Sequence, residues 1–257
     1  MKDLQEYFDS LVKKYEGPSF IENDPICVPH SYSSQVDVEI SGFFAAIFAW
    51  GQRKTIINKS KELMHLMDNA PGDFILHHSV KDLQALSTFK HRTFQYDDLL
   101  YFIHFLHHHY TAHKSLESAF VPEDTFTDLE SSLNYFNSIF FSLNHLNRTR
   151  KHISLPASGS TCKRLCMYLR WMVRSNKKGV DFGIWKKITP KDLMMPLDVH
   201  VHRIAAQYNL LDEKQRNWKA VKELTQRMKS FDPEDPVRYD FALFNLGVRD
   251  KDTFPAL

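Results

Sequence analysis

Apolar residues along this chain recur every three or four positions, the spacing of one face of an α-helix. The first stripe covers residues 4–15 and ends at Gly17 and Pro18, and a proline-broken loop follows to about residue 34. No stretch alternates apolar and polar residues between turn signals, so we expect an all-α fold without strands. The further helices predicted from the pattern cover residues 36–51, 55–67, Tyr96–His113, Asp128–Leu143, Thr161–Arg174, Val199–Gln207, Trp218–Phe231 and Pro236–Leu246.

The predicted helix at residues 36–51 reads VDVEISGFFAAIFAWG and is apolar on nearly every side. A surface helix keeps one polar face, so this pattern indicates a central, buried helix. We therefore interpret residues Phe43–Phe48 and Trp50 as core residues.

The composition is that of an ordinary soluble protein, with 43% hydrophobic and 25% charged residues in a chain of 257. This length suffices for one large domain or two small ones. No window approaches the roughly 18 apolar residues of a membrane span, and the charged N-terminal segment lacks the pattern of a signal or transit peptide. Three cysteines are too few for a disulfide framework or a four-cysteine cluster, which favours the cytoplasm.

Charge is unevenly distributed along the chain. The net charge is only +2, but eleven Lys or Arg residues and a single acid, Asp181, lie between Asn147 and Lys187. Such a stretch is expected of a local phosphate-binding face. A solvated helix surface followed by a basic loop is the alternative.

A tight turn is predicted inside this basic stretch, in SLPASGSTCKRLCMYLRWMVR at residues 154–174. Pro156 and Gly159 flank the turn, and Ser160 or Thr161 can cap the helix that follows. Backbone N–H groups at a helix start can hold a phosphate. Similar turns also join helices without any function, so the motif alone is a weak signal.

A second stretch, MMPLDVHVHRIAA at residues 194–206, places Asp198 at the start of a predicted helix. The aspartate is either a simple helix cap or a catalytic carboxylate positioned by the helix start. His200, His202 and Arg203 follow within two turns. Asp240, which begins another apolar run, is interpreted as a cap.

Together, the two stretches resemble the helix-hairpin-helix DNA glycosylases, the group that includes endonuclease III and the oxidised-guanine glycosylases. Their hairpin reads Leu-Pro-Gly-Val-Gly, which is similar to Leu155–Gly159, and their catalytic aspartate lies in a segment closely similar to Leu197–Ile204. More loosely, the resemblance extends from about Val36 to the C-terminus. It places Gln52 where that family probes the DNA stack.

The resemblance implies two α-helical lobes with a cleft between them, acting on double-stranded DNA that contains a damaged base. Residues 36–177 would form the lobe with the hairpin, and residues 1–35 would pack with the lobe of residues 178–257. We expect a monomer without a metal cofactor or membrane contact. The expected DNA contacts are Gln52, Arg53, Lys54, Arg150, Lys151, Pro156, Gly159, Ser160, Thr161, Arg164, His200 and Arg203.

The resemblance also implies a catalytic lysine, but the hairpin departs from the family pattern. Ala157 and Ser158 replace its first Gly and its Val, and Thr161 stands where bifunctional members carry the lysine. Lys163 is nearest, about 200° further around a helix. We favour Lys163 because that register leaves the apolar residues of the helix on its buried face. These residues are Leu165, Met167, Tyr168, Leu169 and Met172.

Lys163 and Asp198 would face each other across the cleft, and the pair suits base excision. An unprotonated lysine attacks a sugar's anomeric carbon, which requires desolvation or nearby positive charge such as Arg164. An ionised Asp198 stabilises developing positive charge on the sugar or assists proton transfer. Two alternatives remain, namely a DNA-binding protein without catalysis and a monofunctional glycosylase in which Asp198 activates water.

Overall fold

The structure, a computed structural model, describes residues 2–122 and 125–249. It confirms the all-α prediction, since those residues form helices and no strand. The α-helices are α1 (Lys2–Tyr15), α2 (Pro18–Ile21), α3 (Gln35–Phe48), α4 (Arg53–Leu66), α5 (Pro71–His77), α6 (Val80–Ala85), α7 (Tyr96–Ala112), α8 (Leu129–Phe140), α9 (Lys163–Val173), α10 (Val199–Gln207), α11 (Trp218–Lys229) and α12 (Asp240–Arg249). None of these helices combines the length and apolarity that a bilayer span requires.

The chain divides into two compact units. The middle unit is Ile21–Ser154, and the terminal unit combines the described residues of Met1–Phe20 and Leu155–Leu257. The hairpin and α9 therefore belong to the same unit as Asp198, which differs from the predicted lobe of residues 36–177. The physical reason is that α9 carries buried arginines whose carboxylate partners all lie in the terminal unit.

The middle unit is built around α3. Every α3 residue from Val38 to Phe48 is buried, as the uniformly apolar pattern predicted. Phe43 contacts the rings of Phe102 and Phe136 at centroid distances of 5.8 and 5.9 Å, which joins α3 to α7 and α8. These aromatic contacts add to the hydrophobic stabilisation of the core.

A buried carboxylate completes this core. Glu39 of α3 is fully buried, and its two oxygens accept hydrogen bonds from Tyr110 Oη at 2.7 Å, Ser115 Oγ at 2.6 Å and Leu116 N at 2.8 Å. A buried charge is tolerated only when such donors replace water. Glu39 therefore connects α3 to the C-terminal end of α7.

Helices α5 and α6 were not predicted from the apolar pattern, because each spans two turns or fewer. Local chemistry nevertheless marks where they begin. Pro71 occupies the first turn of α5, and Ser79 forms a capping box with Asp82 at the start of α6.

In the terminal unit, the N-terminal helix packs against the C-terminal elements. Gln5 Nε2 of α1 donates to the Phe231 carbonyl at 2.8 Å, and Tyr239 Oη donates to Asp9 Oδ1 at 2.9 Å. Phe8 is fully buried beside the ring of Tyr208. The predicted helix from Pro236 begins with a 3-10 turn, Pro236–Tyr239, before α12.

A cluster of buried ion pairs holds α9 within the terminal unit. Arg174 contacts Asp181 at 2.6 Å, Asp235 at 2.7 Å and Glu16 at 2.7 Å. Arg170, one turn earlier, pairs with Asp240 and lies 3.3 Å from Asp181. Asp240, interpreted from the sequence as a cap, is the first residue of α12 with helical backbone angles, and its carboxylate accepts a hydrogen bond from Arg170.

Removing one arginine of this cluster should destabilise the protein. Arg174→Met leaves the fully buried carboxylate of Asp181 without its closest partner, so we expect the free energy of unfolding to fall by about 3–5 kcal/mol in urea denaturation. Arg216→Met, at an exposed arginine of the same unit, should change it by less than about 0.5 kcal/mol. Equal losses in the two variants would contradict a stabilising role for the cluster.

Candidate functional site

Asp198 caps α10. Its Oδ1 accepts hydrogen bonds from His200 N at 2.9 Å and Val201 N at 3.0 Å. No described residue donates a hydrogen bond to Oδ2, and the side chain is half-buried. One carboxylate oxygen is thus held by the helix start while the other is open to a ligand.

The segment before Asp198 is fixed by the core. Met195 and Leu197 are buried, and Met195 N donates to Thr225 Oγ1 of α11 at 3.0 Å. The chain is anchored three residues before Asp198 and the aspartate caps the helix that follows, so the position of its carboxylate is fixed by both contacts.

The other polar residues of α10 make internal contacts. Arg203 Nη2 donates to the Gly247 carbonyl at 2.9 Å, and His202 Nε2 lies 3.1 Å from the Glu213 carbonyl. His200 packs so closely on α12 that a Cβ placed on Gly247 would lie 2.7 Å from the His200 Cβ. These contacts give His200 and Arg203 structural roles, and their predicted DNA contacts stay predictions.

The hairpin turn has the expected glycine geometry. Residues Pro156–Ser158 form a 3-10 turn that ends at exposed Gly159, whose φ is +77°. Gly159 N donates to the Pro156 carbonyl at 2.8 Å, while the Gly159 carbonyl accepts from Trp218 N at 3.3 Å. The turn is therefore tied to the start of α11.

The helix after the turn begins later than predicted. Neither Ser160 nor Thr161 caps it, because Cys162 occupies the cap position with φ +48° and α9 starts at Lys163. Ser160 Oγ instead accepts from Cys162 N at 3.2 Å. The chain turns sharply at Cys162, which is fully buried, and this leaves Ser160 and Thr161 outside the helix.

Lys163 is therefore the first residue of α9 and is half-buried. Its Nζ lies 3.6 Å from the thioether sulfur of Met167, one turn along the helix. Among the described residues, no hydrogen bond or ion pair joins Lys163 to Asp198. Burial lowers the pKa of the neighbouring Arg164 to about 10, so that guanidinium stays charged at neutral pH.

The remaining predicted DNA contacts lie in the middle unit. Gln52 and Lys54 are exposed at the start of α4, and Arg53 is half-buried between them. Arg150 and Lys151 are exposed on a 3-10 helix, Asn147–His152.

The basic stretch contributes less surface charge than its sequence indicates. Arg170 and Arg174 are buried in the ion-pair cluster, and Arg148 contacts the buried carboxylate of Asp98 at 2.9 Å. Arg170 and Arg174 therefore do not belong to the expected local phosphate-binding face, whereas the side chain of Arg148 stays 36% exposed beside its ion pair. All partners of the three arginines except Asp181 are distant in sequence, so the pattern of charges alone does not reveal them.

Two further residues were misjudged or missed in the sequence. Trp50 is half-buried rather than part of the core, and the guanidinium carbon of exposed Arg92 lies 4.4 Å from the centre of its ring. No motif includes Arg92, since the contact depends on two turns that meet in the fold.

A model of the family described as Protein of unknown function (DUF2400) matches residues 24–249. The chain belongs to this family. The match includes Lys163, Asp198 and the hairpin turn, so these elements lie within the region that defines the family. No curated protein and no solved structure matches the chain.

The cap geometry of Asp198 predicts a graded effect on stability. Asp198→Ala removes the acceptor of two N–H groups and should lower the free energy of unfolding by about 1 kcal/mol. Asp198→Asn keeps an oxygen acceptor, so its free energy of unfolding should fall by clearly less than that of Asp198→Ala, as measured by chemical denaturation. Equal losses in both variants would show that the cap bonds do not stabilise α10.

Proposed function

We propose that this chain is a DNA N-glycosylase that excises a damaged base, with Lys163 as nucleophile and Asp198 as the assisting carboxylate. The observation that carries the proposal is the Asp198 geometry, in which helix N–H groups hold Oδ1 and leave Oδ2 available. A preorganised carboxylate of this kind stabilises positive charge that develops on a sugar. The resemblance of the hairpin and of Leu197–Ile204 to DNA glycosylases supports the same reaction.

In the proposed reaction, the target nucleotide leaves the DNA stack. The Lys163 amine then attacks the anomeric carbon, the C–N bond to the base breaks, and the departing base takes up a proton. The amine nitrogen then gives a proton to O4′ while the C1′–O4′ bond breaks, so that the sugar ring opens to a protonated Schiff base. Loss of a proton from C2′ permits cleavage of the adjacent C3′–O bond, and the phosphate leaves with the bonding electrons. The position of Lys163 beside the apolar side chain of Met167 favours an amine that is partly shielded from water.

A monofunctional glycosylase is the second candidate. The observation that favours it is that the Lys163 amine lies against its own helix, with no hydrogen bond to Asp198 among the described residues. In that reaction Asp198 activates water, and Lys163 contacts only phosphate.

Borohydride trapping on duplexes that carry oxidised guanine, uracil, alkylated purine or an abasic site tests the proposal. We expect a covalent adduct with the parent protein and with Lys13→Ala, an exposed lysine of α1, and none with Lys163→Ala. Asp198→Asn should slow base release by about 10²–10⁴-fold, although it retains the cap.

The other outcomes identify the alternatives. Base release without an adduct would replace the lyase with the monofunctional enzyme. DNA binding with neither product would contradict catalysis and leave a DNA-binding protein. An adduct that persists in Lys163→Ala would assign the nucleophile to another residue.

A further inference from the structure

A strained turn of the middle unit carries an arginine where a glycine is favoured. His91 and Phe94 exchange two backbone hydrogen bonds, of 3.0 and 2.9 Å, around the two central residues Arg92 and Thr93. Arg92 has φ +56° and Thr93 does not have a positive φ. A positive φ at a central position of a two-residue hairpin turn is usually adopted by glycine.

The arginine is held by a second turn. Its guanidinium stacks on the Trp50 ring at 4.4 Å. It also lies over Gly51, where an added Cβ would be 2.3 Å from Arg92 Nη1 and where φ is +111°. The positive φ favours glycine at this position, and an added Cβ would displace the Arg92 guanidinium from the ring. The residues Trp50, Gly51 and Arg92 therefore form one arrangement, which we name the Trp50–Arg92 stack.

The stack combines two unfavourable features. Arg92 adopts a left-handed backbone conformation that side chains other than glycine rarely adopt. The Trp50 Nε1 atom is buried and has no hydrogen-bond partner among the described residues. Backbone strain and unsatisfied polar atoms that persist in a fold are often found at functional sites.

The guanidinium N–H groups of Arg92 are available to a ligand. Arg92 is exposed, and within residues 2–122 and 125–249 its guanidinium makes no hydrogen bond or ion pair. Stacking on Trp50 holds the planar group in one orientation, which reduces the entropy lost when a ligand binds. Gln52 and Lys54, both exposed, lie two and four residues after Trp50 in sequence.

We propose that the Trp50–Arg92 stack binds a phosphodiester group of a DNA strand, with the Arg92 guanidinium donating to two phosphate oxygens. A planar, preoriented guanidinium matches two phosphate oxygens better than a lysine ammonium does. This inference rests on the proposed function, because it takes DNA as the ligand. It adds a backbone contact beside Gln52 that the sequence did not reveal.

Arg92→Gly provides the test, since it relieves the strain while it removes the guanidinium. We expect the midpoint of thermal unfolding to stay the same or rise. DNA affinity near 0.1 M salt should fall about tenfold, and the slope of log K against log salt should decrease in magnitude by about one. Arg92→Lys keeps the charge and should retain most of the slope but lose affinity.

Lys114→Gln is the matched control, an exposed charge of the same unit at the end of α7, and should leave affinity and slope unchanged. If Arg92→Gly lowers the unfolding midpoint and leaves the salt slope intact, the stack is only a structural clamp and the inference is overturned. DNA binding that depends on Arg92 in a protein without base release would support the stack while the proposed catalysis fails. A parent protein that binds no DNA would overturn both.

Discussion

The buried pairing of Arg170 and Arg174 with four carboxylates is the constraint on which the terminal unit depends. The two arginines lie one turn apart on α9, and their partners Glu16, Asp181, Asp235 and Asp240 come from three segments of the chain. A buried charge that loses its partner is strongly destabilising. A rotation or shift of α9 would separate several pairs at once, so the ion pairs allow one register of this helix.

That register decides where the candidate nucleophile lies. Lys163 is the first residue of α9, so the ion-pair cluster at the other end of the helix determines its position through a rigid helix. Asp198 is positioned independently, by the bond between Met195 and Thr225 and by its own cap bonds. The two candidate catalytic residues are thus held by separate interactions within one compact unit, as a preorganised site requires.

In the middle unit, buried carboxylates of the core are paired, while several turns have unfavourable backbone angles. The fully buried carboxylates of Glu39 and Asp98 have partners, since Glu39 accepts several hydrogen bonds and Asp98 pairs with Arg148. Positive φ angles occur at Asp68, Asn69 and Arg92 and at Gly51 of this unit. A stable scaffold can maintain such a strained local arrangement, and natural proteins often retain one where function requires it.

The sequence by itself determined the helical class, the buried position of α3, the extent of α10 and the cap position of Asp198. All of these depend on residues within a few turns of one another, and helical periodicity and capping chemistry are local. Only the tertiary structure decided that Arg170, Arg174 and Arg148 are paired internally, that α9 starts at Lys163, and that Arg92 stacks on Trp50. The ion pairs and the stack depend on tertiary contacts, and the start of α9 depends on the unusual backbone angle at Cys162. The spacing of residues in the sequence therefore does not predict them.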